Sequence, residues 1–348
     1  MIRLDDYDYH LPKEQIANRP ASPRDSARLF VYNTKTDEVA FDVFGGIGRY
    51  LPHPSMLVFN DTKVIPARLW LKKETGGKIA VLLMMNEFQA GDTVLKGVVD
   101  RKVLPGSKLY FCSGDFLEIM KQDGQFFFFR PSVSMKTLRT LMEKEGVTPV
   151  PPYIKDTKLS ELTLRKKYQS VLAKHPASVA APTASLHFTD RLLTKLAHNK
   201  VEHTEVTLHV GLGTFAPIGE KNIREKKLFT ELYDISYSSA RVINKAKAEG
   251  VPVIPVGTTA MRTLESAARA GQLAARSDKT NIFIYPPYKF QIADALITNF
   301  HVPKSSLMLL VDALLKHKKA KRDILELYDI AIREKFRFYS FGDGMLIL

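Results

Sequence analysis

Between about Trp70 and Val150 the chain has an all-β texture, set between stretches of a different kind. Short β-like runs (KIAVLLMM, TVLKGVV, SKLYF, GQFFFFRP) alternate with Gly76-Gly77, Gly91-Asp92, Pro105-Gly106 and Asp123-Gly124. Gly and Pro at such points supply tight turns, and strands at this spacing close into a small barrel or sandwich. Phe126 to Phe129 read as a strand buried on both faces. Upstream, RLFVYN and EVAFDVF predict a hairpin across Asn33 to Asp37, and SMLVFND a third strand. Downstream of TPVPPYI, whose prolines suit a rigid linker, strands alternate with helices: TDRLLTKLAHN capped by Thr189, EVTLHVGLGTF, a helix from about Ser238 to Glu249, VPVIPV, MRTLESAARAG, NIFIY and DALIT.

The strands before Trp70 need a sheet to join, and the buried apolar strands of the C-terminal half provide one. The predicted fold class is therefore α/β, a discontinuous α/β barrel-like main domain (residues 1–69 and 150–348) with an inserted small all-β, barrel-like domain (70–149). No run approaches the roughly 18 apolar residues of a membrane span, and the polar, acidic start is unlike a signal peptide. One cysteine, Cys112, excludes an intrachain disulfide and a Cys-based zinc cluster. A cytoplasmic chain with no membrane partner and no metal is expected. The excess of 51 Lys+Arg over 37 Asp+Glu, a net charge of +14, favours a polyanion, with nucleic acid first.

Four strand ends share a polar vocabulary. Thr183, Ser185 and His187 lie in APTASLHFT, and His209 precedes Gly211 and Gly213. Thr258, Thr259 and Arg262 open a helix, and Thr298, Asn299 and His301 close the run DALITNFHVPKSS. Hydroxyls and amides at a helix N-terminus suit a carboxylate or phosphate. Imidazoles titrate near ~6.5 and suit acid and base work. No P-loop, GxSxG elbow or full GxGxxG fingerprint occurs, which argues against an NTPase, an α/β-hydrolase or a Rossmann dehydrogenase.

Six blocks, FNDTKVIPARL, SVAAPTASLHFT, VTLHVGLGTFAPI, VGTTAMRTLES, DALITNFHVPKSSLMLLVDAL and FRFYSFGDGMLI, run in order along the chain. Together with PASPRDSARL and VTPVPPYI they resemble the S-adenosylmethionine:tRNA ribosyltransferase-isomerase family of queuosine biosynthesis. The resemblance thins between Met84 and Thr148. It implies a discontinuous α/β domain with an inserted β-barrel, in line with the change of texture. It also implies a reaction in which the ribosyl part of S-adenosylmethionine, a consumed co-substrate, passes to the 7-aminomethyl-7-deazaguanine base at the tRNA wobble position. Epoxyqueuosine forms, and adenine and methionine leave.

Such a path needs a base for carbon, an acid for adenine and a base for the amine. The matched blocks make His187, His209 and His301, with Asp61 and Asp294 as partners, the candidate catalytic set. Asn299, Thr183, Thr258 and Thr259 are candidates for holding the nucleoside and the amino-acid carboxylate. Arg24, Arg68, Arg262 and Arg337 are candidates for meeting anions of substrate or tRNA. A monomer is expected. A competing reading is a tRNA-binding homologue with lost or altered transferase activity.

Overall fold

The structure is a computed structural model that describes residues 2–88, 91–154, 157–211 and 218–348. The first hairpin forms as the alternation requires, from β1 (Arg28–Asn33) and β2 (Glu38–Val43), and is followed by β3 (Ser55–Asn60) and the short β4 (Thr62–Val64). β5 (Arg68–Lys73), β6 (Lys78–Leu83), β7 (Leu95–Val99), β8 (Lys108–Tyr110), β9 (Phe116–Asp123) and β10 (Phe126–Pro131) then close into an antiparallel barrel in the order β10-β7-β6-β5-β8-β9.

Inward positions of the barrel follow the period of two expected of pleated strands. Leu69, Leu71, Ile79, Val81, Leu117, Ile119 and Phe129 fill its interior, each contributing about 1.5–3 kcal/mol by leaving water. The expectation for Phe126 to Phe129 is corrected here. Only Phe127 and Phe129 are buried, while Phe126 and Phe128 face outward under the ammonium groups of Lys96 and Lys121. A run of identical aromatics hides an alternation that the backbone imposes.

The inserted module is also not purely β, because α1 (Met135–Glu145) packs Leu138, Leu141 and Met142 onto the barrel. Ser134 caps it, its hydroxyl accepting from the Thr137 amide. The chain leaves α1 past the start of β5 so closely that a Cβ on Gly146 would lie 2.0 Å from the Pro66 carbonyl oxygen, so only glycine fits there.

The remaining elements are α2 (Glu161–Lys167), β11 (His175–Ser178), α3 (Asp190–His198), β12 (Val201–Leu208), α4 (Glu220–Glu225), β13 (Lys227–Ile235), α5 (Tyr237–Ala248), β14 (Val253–Val256), α6 (Thr258–Ala267), the two-residue β15 (Ala268–Arg269) and β16 (Gln272–Leu273), β17 (Arg276–Ile282), β18 (Leu296–Asn299), α7 (Ser306–His317), α8 (Ile324–Arg333) and β19 (Gly344–Ile347). They build a nine-stranded sheet in the order β17-β13-β12-β3-β14-β18-β19-β1-β2. Both parts of the chain that flank the barrel thus share one sheet. NIFIY is only partly a strand, since β17 ends at Ile282.

The four central strands, β12, β3, β14 and β18, are mutually parallel. Their carboxyl ends therefore open on one edge, where α6 begins directly after β14 and α7 begins after a six-residue turn from β18. β19 runs antiparallel to β18, with Gly344 opposite Asn299, which brings the segment before β19 to the same edge. An aromatic cluster of Phe30, Phe300, Tyr328, Phe336 and Phe338 holds that segment against α7 and α8.

Candidate active site

At this carboxyl edge lies a cavity of about 360 Å³, within the range of roughly 300–1,000 Å³ for small-molecule sites. Its walls come from the starts of α6 (Gly257, Thr258, Thr259) and α7 (Lys304, Ser305, Ser306), from the end of β18 (Thr298, Asn299, His301), and from Thr183, Tyr153, Tyr168, Tyr339 and Ser340. The linker-like TPVPPYI therefore supplies a wall through Pro152 and Tyr153. Gly257 turns the chain from β14 into α6 at φ +92°, a conformation that favours glycine. Among the described residues no side chain caps α6, which leaves the amides of its first turn available to a ligand in the cavity. The hydroxyl of Thr259 is buried with no hydrogen-bond partner among the described residues.

Asn299 is the hub of a buried network. Its Oδ1 accepts from the Thr183 hydroxyl at 2.9 Å, and its Nδ2 lies 3.1 Å from His187 Nε2 and 3.4 Å from the Asp343 carbonyl. A carbonyl only accepts, which places the amide NH₂ on that side, donating to Nε2 and putting the imidazole proton on Nδ1. The His187 ring stands behind Asn299, tilted against Phe44 at 4.7 Å. Burial pushes it down to about 4, opposed by Asp343 and assisted by Arg337 and Arg24.

His301 lines the cavity itself. Its Nε2 is 2.9 Å from the Thr298 hydroxyl and its backbone amide donates to the Tyr328 phenol at 2.8 Å, while the Tyr9 hydroxyl donates to its carbonyl. Burial lowers it to about 3. Its Nδ1 makes no hydrogen bond among the described residues. Both imidazoles are neutral near pH 7 and burial makes each a weak base; His187 has its Nε2 filled by Asn299, so of the two only His301 keeps an acceptor nitrogen open.

The structure does not bring the other candidates to this cavity. His209 follows β12, three strands from β18, so at ~4.8 Å per strand it stands roughly 14 Å along the edge. There its Nδ1 meets the Thr62 hydroxyl at 2.8 Å, and it lines a separate hollow with Tyr233 and Asp234. Burial, then His175, lowers it to about 4. Asp61 accepts from the Thr207 hydroxyl at 2.6 Å and lies 3.5 Å from His175 Nε2, with burial raising its carboxyl. Asp294 precedes β18 and so lies at the opposite end of the strand from Asn299. It holds Lys247 at 2.8 Å and the Val253 amide at 2.8 Å. A few residues of sequence separation became a full strand length in space.

The arginines are internally engaged. Arg24 donates to the carbonyls of Gln169 and Lys166, and Arg68 to that of Val150 at 3.1 Å. Arg337 clamps the fully buried Asp343 at 2.7 Å, fixing the turn that carries Tyr339 and Ser340. Arg262 is buried against Glu231, whose other oxygen accepts from the Gly211 amide at 3.0 Å. Gly213 lies outside the described residues. Tyr153, Tyr168, Tyr339 and Ser340 were not singled out from sequence, although VTPVPPYI and FRFYSFGDGMLI contain three of them.

A model of the queuosine biosynthesis protein family matches residues 4–347. The S-adenosylmethionine:tRNA ribosyltransferase-isomerase of Carboxydothermus hydrogenoformans is 44% identical over 351 residues, covering 100% of both chains. That of Fusobacterium nucleatum is 44% identical over 354 residues, covering 99% of this chain and 96% of the relative. The solved structure of the S-adenosylmethionine tRNA ribosyltransferase of Thermotoga maritima superposes with a TM-score of 0.55 at 31% identity, over 99% of this chain and 100% of that one. With its matched blocks, inserted barrel and strand-end cavity, the chain belongs to the queuosine biosynthesis protein family.

Proposed function

We propose that this protein transfers and isomerises the ribosyl moiety of S-adenosylmethionine onto the 7-aminomethyl-7-deazaguanine wobble base of tRNA, forming epoxyqueuosine and releasing adenine and methionine. The supporting observation is the cavity, where two helix N-termini, the unpartnered Thr259 hydroxyl and the His301 imidazole share one space. The donor's carboxylate fits the uncapped start of α6, where free amides and the helix dipole favour negative charge.

The positive sulfur acidifies the C5′ protons. His301 takes one at the free Nδ1, leaving its bonding electrons on carbon; burial weakens the ring as a base, so the transfer is drawn forward by the acidity the sulfonium gives C5′ and by prompt passage of the proton to adenine. The imidazolium so formed is strongly acidic, because burial holds its ordinary value near 3. It hands the same proton to adenine as the glycosidic bond breaks, so one ring serves as base and then as acid. The aminomethyl nitrogen adds to the unsaturated sugar and loses its extra proton to solvent water, and epoxide closure breaks the C–S bond and expels methionine, so one proton is released overall. Asn299 and Thr183 hold the nucleoside, and His187 positions Asn299 from behind.

The same reading makes tRNA the partner, consistent with the charge of +14, and makes the protein a cytoplasmic monomer. The test is to incubate it with S-adenosylmethionine and tRNA bearing the aminomethyl base, following adenine by chromatography and the nucleoside by mass. Coupled adenine release and a mass-shifted nucleoside are expected. tRNA binding without either product would refute the transferase reading and leave a binding homologue.

A further inference from the structure

The cavity would hold a cation, yet among the described residues no Asp or Glu side chain lines it. Its one lysine, Lys304, is already paired with Asp5 and Asp8 at 2.8 and 3.0 Å. The helix starts suit negative charge, not a sulfonium. What remains is aromatic. Tyr153 and Tyr339 both line the cavity and meet there with ring centroids 4.8 Å apart and planes inclined at 56°, forming a corner. The Tyr153 hydroxyl is tied to Ser340 Oγ at 2.7 Å, which fixes its ring.

Tyr339 sits at φ +71° in the left-handed region, which costs a bulky side chain on the order of 1–2 kcal/mol. The fold maintains that strain: Arg337 and the buried Asp343 clamp the turn, and the Tyr339 amide donates to the Phe300 carbonyl at 3.1 Å. A strained aromatic held by so many contacts at a cavity wall marks a placed ring. The negative faces of phenol rings attract a desolvated cation.

We propose that the Tyr153–Tyr339 corner is a sulfonium-selecting element, which recognises the positive sulfur of the donor through its ring faces and discriminates against the neutral thioether. The proposal rests on the ribosyl-donor reading above. It explains how a cavity with one uncapped helix N-terminus and, among the described residues, no carboxylate side chain accepts a cationic centre. The carboxylate goes to α6 and the sulfur to the tyrosines.

The test is equilibrium binding by calorimetry of S-adenosylmethionine and S-adenosylhomocysteine to the full chain and to Tyr339→Leu, Tyr153→Leu and Tyr339→Phe, with circular dichroism to verify folding. The unsubstituted protein is expected to prefer the sulfonium by about 10-fold or more, in keeping with a desolvated cation–π contact. Each Leu variant should lose most of that preference while thioether affinity changes little, and Tyr339→Phe should keep it. Equal affinity for the two ligands in the unsubstituted protein, or an unchanged ratio in folded Leu variants, would overturn the corner. If Tyr339→Leu does not fold, Tyr153→Leu decides. Failure of the unsubstituted protein to bind either nucleoside would instead overturn the ribosyl-donor reading.

Discussion

Replacing Asn299 by Leu keeps the side-chain volume close to the original and removes every polar contact of the hub. Asn299 is only 2% exposed, and two of its contacts are of good length, to the Thr183 hydroxyl at 2.9 Å and His187 Nε2 at 3.1 Å. Thr183 is partly exposed and can turn its hydroxyl to water, so the first loss costs about 1 kcal/mol. His187 Nε2 is sealed from water, and stranding it costs roughly 1–3 kcal/mol. The long contact to Asp343 adds little. A loss of about 2–4 kcal/mol is therefore expected, read as a lower urea midpoint at pH 7 with an unchanged slope. Thr183→Val should cost only about 1 kcal/mol and should add less than its full value on top of Asn299→Leu, because the two share a bond. A loss below about 1 kcal/mol in Asn299→Leu would refute the reasoning, since no sealed acceptor would then have been stranded.

Three further outcomes are expected. Burial holds His187 and His301 near 4 and 3, below the ordinary 6.5. The unfolded chain therefore takes up protons first, so the stability tied to these neutral rings is complete above about pH 6.5 and is lost as pH falls toward 4, by ~1.4 kcal/mol per pH unit for each ring. Urea midpoints across that window should flatten in His301→Gln, and an unchanged slope would contradict the assignment. Asp294→Asn should cost no more than about 1 kcal/mol, its ion pair being partly exposed. It should also leave kcat for adenine release within about twofold, whereas a loss beyond tenfold (about 1.4 kcal/mol) would return Asp294 to the chemistry. Thr259→Val strands no partner, so folding stability should hold while KM for S-adenosylmethionine rises about 5- to 10-fold, on the order of one hydrogen bond to the donor. An unchanged KM would remove that contact.

Local chemistry made much of the fold legible. The hairpin at residues 28–43, the cap at Thr189 and the barrel's turn dipeptides follow from spacing and turn residues alone, and they formed as expected. α1 lies among strands of period two that mask its pattern, although Leu138, Leu141 and Met142 keep helical spacing. The site was legible where one strand end carries several polar groups, as at Thr298, Asn299 and His301. It was not legible where tertiary structure decides which strand ends meet. Strand order set His209 three positions from β18, and strand direction sent Asp294 to the far end. The tyrosine corner was hidden for a related reason. Tyr153 and Tyr339 lie far apart in sequence and meet because the turn before β19 and the segment before α2 pack together at the same edge of the sheet.

The most direct test of the cavity's role is a crystal structure of the protein soaked with S-adenosylmethionine. The expected density lies between the start of α6, His301 and the Tyr153–Tyr339 corner, with the carboxylate at the Thr258 and Thr259 amides and C5′ within reach of His301 Nδ1. A nucleoside bound beside His209 and Asp234, with this cavity empty, would contradict the assignment.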